Sequence, residues 1–303
     1  MTVTHLQGRH VSHNESEGNS SHVLQDLRNG STCTHKEMLP SIVYLGYPHS
    51  GSTTLARTMN AHPQLSYGRL KEHKFLCIMA PHVHFFYHHV EEIYGRDFKP
   101  PCGTKMTFDM TPTYFAMALN SSSQWRQRNG HRSTFCRKPK ELGDFVNLLG
   151  PRLRFLMMLR NPVDMVKSMH GIEWFRENIE AARNLGCYVD VLEAWRKAVP
   201  GHEIKVVSTE DMFSETLDFF ADLFQWIGVP NPPLEIYDLG NKGLGRRRFT
   251  EKQTKLVQKG QETVLSLEHT EYERYHNHPK MLACKARLEK LLNRTFNWTG
   301  APR

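Results

Sequence analysis

From Ser41 onward the chain alternates short apolar runs with longer stretches whose apolar residues recur every three or four positions. Ile42 to Leu45 is an apolar run that meets Gly46, the form of a strand entering a turn. A helix of about two to three turns is predicted after that turn, stopping before Ala61-His62-Pro63. Leu153 to Leu159 is nearly continuous in apolar residues, as expected of a strand covered on both faces of a parallel sheet. Pro162 suits the first turn of a helix predicted from Val163 to about Glu180. Tyr188, Val191, Leu192 and Trp195 share one face of a helix predicted over Tyr188–Val199. Glu203–Ser208 reads as a third strand. Thr209 reads as the cap of a helix running to about Ile227, which Gly228-Val229-Pro230 ends.

Strands and helices alternating in units of roughly 30 residues predict an α/β fold. The expected form is one domain with a central, mostly parallel sheet flanked by helices. Residues 78–150 are less regular and are expected to supply substrate-facing insertions. Residues 1–38 are polar, rich in His, Ser, Asn and Gly, and without apolar periodicity. They read as a disordered tail, which leaves 39–303 as the domain.

Composition narrows the partners. Hydrophobic residues make up 39% of the chain, enough for a core, and no run approaches the ~18 apolar residues of a membrane span. No charged-then-apolar leader is visible, so the expected setting is the cytoplasm, or a lumen if an anchor is missing from this sequence. Formal charge is +8 from 39 basic and 31 acidic residues, which favours anionic ligands. Nucleic acid is not expected, because no arginine–aromatic interleaving or recognisable binding module accompanies the charge. The six cysteines form no C-x-x-C pair; Cys102 and Cys136 are the nearest sensible disulfide, with free thiols the alternative. Asn14, Asn19, Asn29, Asn120, Asn293 and Asn297 head glycosylation triplets, a hint of a glycosylating compartment.

The chemistry begins in Tyr47-Pro48-His49-Ser50-Gly51-Ser52-Thr53-Thr54. Gly46, Gly51 and Thr53 fit the nucleoside-triphosphate loop G-x-x-x-x-G-K-[ST], but Ser52 stands where its lysine belongs. Such a loop can offer N–H groups and hydroxyls to a phosphate at a helix N-terminus. It lacks the cation that reaches a γ-phosphate, which points to a nucleotide with no γ-phosphoryl to move. A second segment, Arg160-Asn161-Pro162 through Ser168, sets a guanidinium at the end of a strand and a hydroxyl two turns into the next helix. Both belong at the carboxyl edge of the sheet, where a second phosphate would bind. Taken alone, Arg160 could equally pair with Asp164.

Together these segments resemble the sulfotransferases that use 3′-phosphoadenosine 5′-phosphosulfate (PAPS). The loop looks like the family's 5′-phosphosulfate loop, and Arg160 and Ser168 match its 3′-phosphate contacts at their spacing of eight. Further motifs are similar to those of the carbohydrate, heparan-type branch. Lys71-Glu72-His73-Lys74-Phe75 resembles the segment whose Glu is the base, and Asp109-Met110-Thr111-Pro112-Thr113-Tyr114 the segment lining the cleft. Val206–Pro230 and Phe296-Asn297-Trp298 fit the remaining pattern, and Arg274-Tyr275-His276-Asn277-His278-Pro279 looks like the loop that closes over the donor.

The resemblance implies a PAPS-dependent sulfotransferase acting on an acceptor hydroxyl, that of a carbohydrate, with no metal. Glu72 and His49 are implied as catalytic; Tyr47 to Thr54, Arg160, Ser168, Arg274 and His276 as donor-binding; Lys71, Asp109, Thr111 and Tyr114 as substrate-binding. The branch is mostly luminal, so a Golgi setting is implied, with the cytoplasm expected if the chain is complete. Several positions depart from the pattern: His49 and His276 replace cations, and Met110 replaces lysine. If both imidazoles act as cations, donor affinity should strengthen below about pH 6.5. A P-loop kinase or NTPase is the rival enzyme, disfavoured by Ser52 and because Asp109 ends no clean apolar strand. An inactive donor-binding homologue is the non-enzymatic rival. His84 and His88, one turn apart, lack a third metal ligand; Arg246-Arg247-Arg248 could meet an anion or only solvent.

Overall fold

The computed structural model describes residues 39–76, 90–98, 100–118, 146, 149–233, 270 and 272–298. The predicted tail, His84, His88 and Arg246–Arg248 lie outside these residues. Five parallel strands form one sheet in the order β2-β3-β1-β4-β5. They are β1 (Ile42–Tyr44), β2 (Leu65–Ser66), β3 (Met106–Asp109), β4 (Arg154–Leu159) and β5 (Ile204–Ser208). Val43 pairs with Asp109 on one side and Phe155 on the other, which makes β1 the central strand.

Alternation along these strands divides the core into two layers. Val43, Phe155, Met157 and Leu159 face the layer that also holds Val163, Val166, Tyr188, Leu192 and Trp195. Those come from α3 (Pro162–His170) and α6 (Tyr188–Ala198). Ile42, Tyr44, Leu156 and Met158 face the opposite layer, with Leu55, Met59, Phe220, Leu223 and Phe224. These belong to α1 (Ser52–Ala61) and α8 (Thr216–Ile227). Burial of each such side chain contributes on the order of 1.5–3 kcal/mol, so both helical faces are strongly held to the sheet. The fold is the α/β, parallel-sheet architecture expected from the alternation.

The details differ where local geometry intervenes. The helix expected over 163–180 is three: α3, α4 (Ile172–Glu177) and α5 (Ile179–Gly186). Gly171 ends α3 at φ 85°, a left-handed conformation that glycine takes without a Cβ penalty. The helix after β5 is likewise broken, into α7 (Thr209–Ser214) and α8. Its cap is Ser208 rather than Thr209: the Ser208 hydroxyl accepts from the Glu210 and Asp211 N–H groups. Strands β2 and β3 carry two and four residues, too short to stand out as apolar runs. Val90–Ile93 (α2) and Pro279–Leu292 (α9) complete the helices described.

The disulfide found is Cys187–Cys284, which ties the start of α6 to α9 across 97 residues. Cys102 is also disulfide-bonded, to a cysteine outside the described residues. Among the described residues no helix is long and apolar enough to cross a membrane.

Candidate active site

In a parallel sheet every strand leaves at the same edge, so the segments after β1, β3, β4 and β5 converge. The chain runs from β1 to β2 and β3 on one side and to β4 and β5 on the other. Its direction reverses at β1, and a crevice opens there.

The turn after β1 leaves backbone donors unpaired at a helix N-terminus. The Ser50 N–H donates to the Tyr47 carbonyl at 3.4 Å, and His49 and Gly51 take left-handed φ values of 61° and 82°. Gly51 precedes α1 and offers no side-chain cap, and no acidic residue lies in the first turn. The first N–H groups of α1 are therefore left to a ligand, at the positive end of the helix dipole. A Cβ on Gly51 would lie 3.1 Å from Met212 Cε, so the turn is tight as well as left-handed. Ser50 is fully buried and its hydroxyl is unpartnered, a cost on the order of 1–3 kcal/mol that a bound oxygen would relieve.

Arg160 and Ser168 come to this turn from β4 and α3. The Arg160 guanidinium donates to the His49 carbonyl at 2.7 Å. The His49 Nδ1 lies 3.0 Å from the Ser168 hydroxyl. Residues 111 and 119 positions apart are thus drawn into one cluster. Burial, and then the Arg160 charge, hold the His49 imidazole below its ordinary value of 6.5, so the free enzyme carries it neutral at pH 7. That runs against its expected role as a standing cation. Tyr47 is also placed unexpectedly: its ring is buried against Phe115 and Tyr188, so only its backbone belongs to the turn. Ser52 and Thr54 are buried, while Thr53 is exposed.

Support for the cluster comes from residues to which sequence alone assigned no part in the site. The Tyr188 hydroxyl donates to the Arg160 carbonyl at 2.7 Å. The Asn161 N–H donates to Glu210 Oε1 at 2.7 Å, and Asn161 Oδ1 accepts the Val163 N–H as the cap of α3. The Thr209 hydroxyl lies 2.7 Å from the Ser50 carbonyl oxygen and 3.0 Å from that of Leu159, tying the turn to β4. Only the Asn-Pro cap of α3 carried a local signal; the rest are contacts between distant segments.

On the other side, the Lys71 ammonium lies 2.7 Å from Glu72 Oε1 and donates to the Thr53 hydroxyl at 3.4 Å. Glu72 thus stands beside the turn, joined to it through Lys71. The segment is held by the exit of β3: Met110 N–H donates to the Lys71 carbonyl at 3.1 Å, and Lys74 N–H to the Thr111 hydroxyl at 3.0 Å. Asp109 is the last residue of β3, a Met-Thr-Phe-Asp strand that is not cleanly apolar. Its carboxylate is fully buried and accepts the hydroxyls of Tyr94, Thr111 and Tyr114 at 2.6, 2.6 and 2.8 Å. Asp109, Thr111 and Tyr114 therefore face the interior, where they fix the Lys71–Leu76 segment.

Arg274 and His276 lie just before α9. Arg274 is exposed, and its carbonyl accepts from Arg183 at 3.3 Å. His276 is buried in the wall of a cavity shared with Pro162, Tyr188, Lys285 and Trp298. Burial, then the Lys285 charge, push its imidazole down to about 4, so it is neutral at pH 7. Among the described residues, one His, Cys, Asp and Glu group has metal-ligand spacing, Cys187, Asp190 and Cys284, and its sulfurs are joined as the disulfide.

The fold and cluster define a sulfotransferase-type enzyme. The sulfotransferase family model matches residues 40–233, and the chain belongs to that family. In structure it is similar to the sulfotransferase from Alicyclobacillus acidocaldarius, with a TM-score of 0.51 and 17% identity over 86% of this chain and 99% of that one. The sulfotransferase domain of the Synechococcus PCC 7002 olefin synthase matches at a TM-score of 0.39 and 14% identity, over 69% of this chain and 79% of that domain. No curated protein sequence matches the chain.

Proposed function

We propose that this enzyme transfers the sulfuryl group of PAPS to an acceptor hydroxyl, that of a carbohydrate. The observation that carries the donor assignment is the meeting of Arg160 and Ser168 with the β1–α1 turn through His49. Two anion-binding elements side by side suit a nucleotide with separate 5′- and 3′-phosphate groups. The turn and the α1 N-terminus hold the 5′-phosphosulfate, and Arg160 and Ser168 hold the 3′-phosphate. The carbohydrate assignment rests on the heparan-type motifs around Glu72 and Asp109.

Glu72 takes the proton of the acceptor hydroxyl as that oxygen bonds to sulfur. The bond from sulfur to the 5′-phosphate oxygen breaks, its electron pair stays on that oxygen, and 3′-phosphoadenosine 5′-phosphate (PAP) departs. In its neutral form with the proton on Nε2, His49 directs that proton to the leaving oxygen, while the single proton of the Ser168 hydroxyl goes to the 3′-phosphate once the donor is bound. Such a donor acts most strongly as charge develops, so a neutral ring suffices.

Calorimetry with PAP, ATP and GTP tests the donor. Tight binding of PAP alone is expected; preference for ATP or GTP would overturn the reading. Labelled donor offered to sugars, tyrosyl peptides and small alcohols tests the acceptor. Glu72→Ala should lower turnover about 10²–10⁴-fold while retaining PAP binding.

A further inference from the structure

The turn has no lysine of its own, yet an ammonium stands beside it. Lys71 reaches Thr53, the second residue of α1, from a segment on the far side of the crevice. The same ammonium neutralises Glu72 at 2.7 Å. Its backbone is pinned by Met110, and the segment is pinned again at Lys74 and at Leu76, whose N–H donates to the Tyr114 hydroxyl. The backbone is thus fixed while the four-carbon stem is free to swing. Side-chain exposures of 23% for Lys71 and 33% for Glu72 leave room for that movement at the crevice.

We propose that Lys71 supplies in trans the cation missing at Ser52 and couples donor binding to release of the base. In the free enzyme its charge is shared between Glu72 and the Thr53 hydroxyl. A donor's sulfuryl group at the α1 N-terminus presents a stronger, multidentate anion, and the ammonium turns to it. Glu72 is then unpaired and able to accept a proton only when a donor is present. The carboxylate and the sulfuryl group therefore compete for one cation. This inference rests on the PAPS reading above.

The competition makes an unusual prediction for donor affinity, measured by calorimetry without acceptor. Lys71→Met should weaken PAPS binding roughly tenfold while changing PAP, which lacks the sulfuryl group, by less than about threefold. Lys71→Arg should restore most of the preference for PAPS. Glu72→Gln, which frees the ammonium, should leave PAPS binding equal or about threefold tighter. Equal losses of PAPS and PAP in Lys71→Met would overturn the proposal, as would weaker PAPS binding in Glu72→Gln. Either result would reduce the pair to a structural salt bridge. Failure of the wild-type protein to bind either nucleotide is a different outcome, and it would overturn the donor assignment along with this proposal.

Discussion

The His49 ring nitrogen lies 3.0 Å from the Ser168 hydroxyl, joining the turn after β1 to the second turn of α3. That contact fixes both the ring's orientation and the separation of the two proposed phosphate sites. Ser168→Ala removes it together with a donor to the 3′-phosphate. PAP affinity should fall about 5- to 15-fold, the size of one to two hydrogen bonds. Thermal stability should change little, because the hydroxyl is exposed. Calorimetry and a melting curve on the same preparation check both halves.

Protonation of His49 should be visible in the pH dependence of binding. In the free enzyme its imidazole is held below 6.5, so a complex that charges the ring must take up a proton, and affinity gains as pH falls through the ring's value in the complex. The ratio of wild-type to His49→Gln affinity for PAP should rise as pH falls from about 8 toward about 5, and level off once the free ring is charged as well. Using the ratio cancels the ligand's own titration. A ratio that stays flat to pH 5 or so would mean the ring never charges on the donor.

His276 gives a stability prediction of definite sign. Its folded-state value, about 4, is below the unfolded value of 6.5, so the fold favours the neutral ring. The associated stability is present above 6.5 and is lost as pH falls toward 4. Acidification from about pH 7 to about pH 5 should cost on the order of 1–2 kcal/mol through this residue. Urea unfolding of His276→Gln should lose that much of the pH dependence.

Replacing both cysteines of the Cys187–Cys284 pair with serine releases a cross-link over 97 residues. A loss of about 2–4 kcal/mol is expected in urea unfolding. Cys187 adjoins Tyr188, which grips the Arg160 carbonyl, so PAP affinity should also decline.

Tyr114→Phe leaves Asp109 with two of its three hydroxyl donors and the Leu76 N–H without its acceptor. Both groups are buried, so a destabilisation of about 1–3 kcal/mol is expected. Because this network holds the Glu72 segment, turnover should fall further than PAP affinity.

Much of the architecture was legible in the chain. Apolar runs announced β1 and β4, since a strand sandwiched between helices must be apolar nearly throughout, and the β-branched Ile204, Val206 and Val207 announced the edge strand β5. The glycines and hydroxyls of 46–54 announced a tight strand-to-helix turn, and the absent lysine at Ser52 spoke against γ-phosphoryl chemistry. Arg160 and Ser168 were placed correctly at the carboxyl edge by their positions after a strand and within a helix. These features depend on local backbone geometry, which local sequence encodes. Strands β2 and β3 were hidden because two and four residues hold too few side chains for a period to show. The role of Asp109 was hidden because its partners Tyr94 and Tyr114 approach through the fold. The charge of His49 was decided by burial and by a guanidinium 111 residues away, and the partner of Glu72 by where one flexible stem reaches. Composition and spacing thus named the candidate groups; only tertiary packing set which of them are buried, neutral or paired, because protonation and pairing depend on neighbours in space.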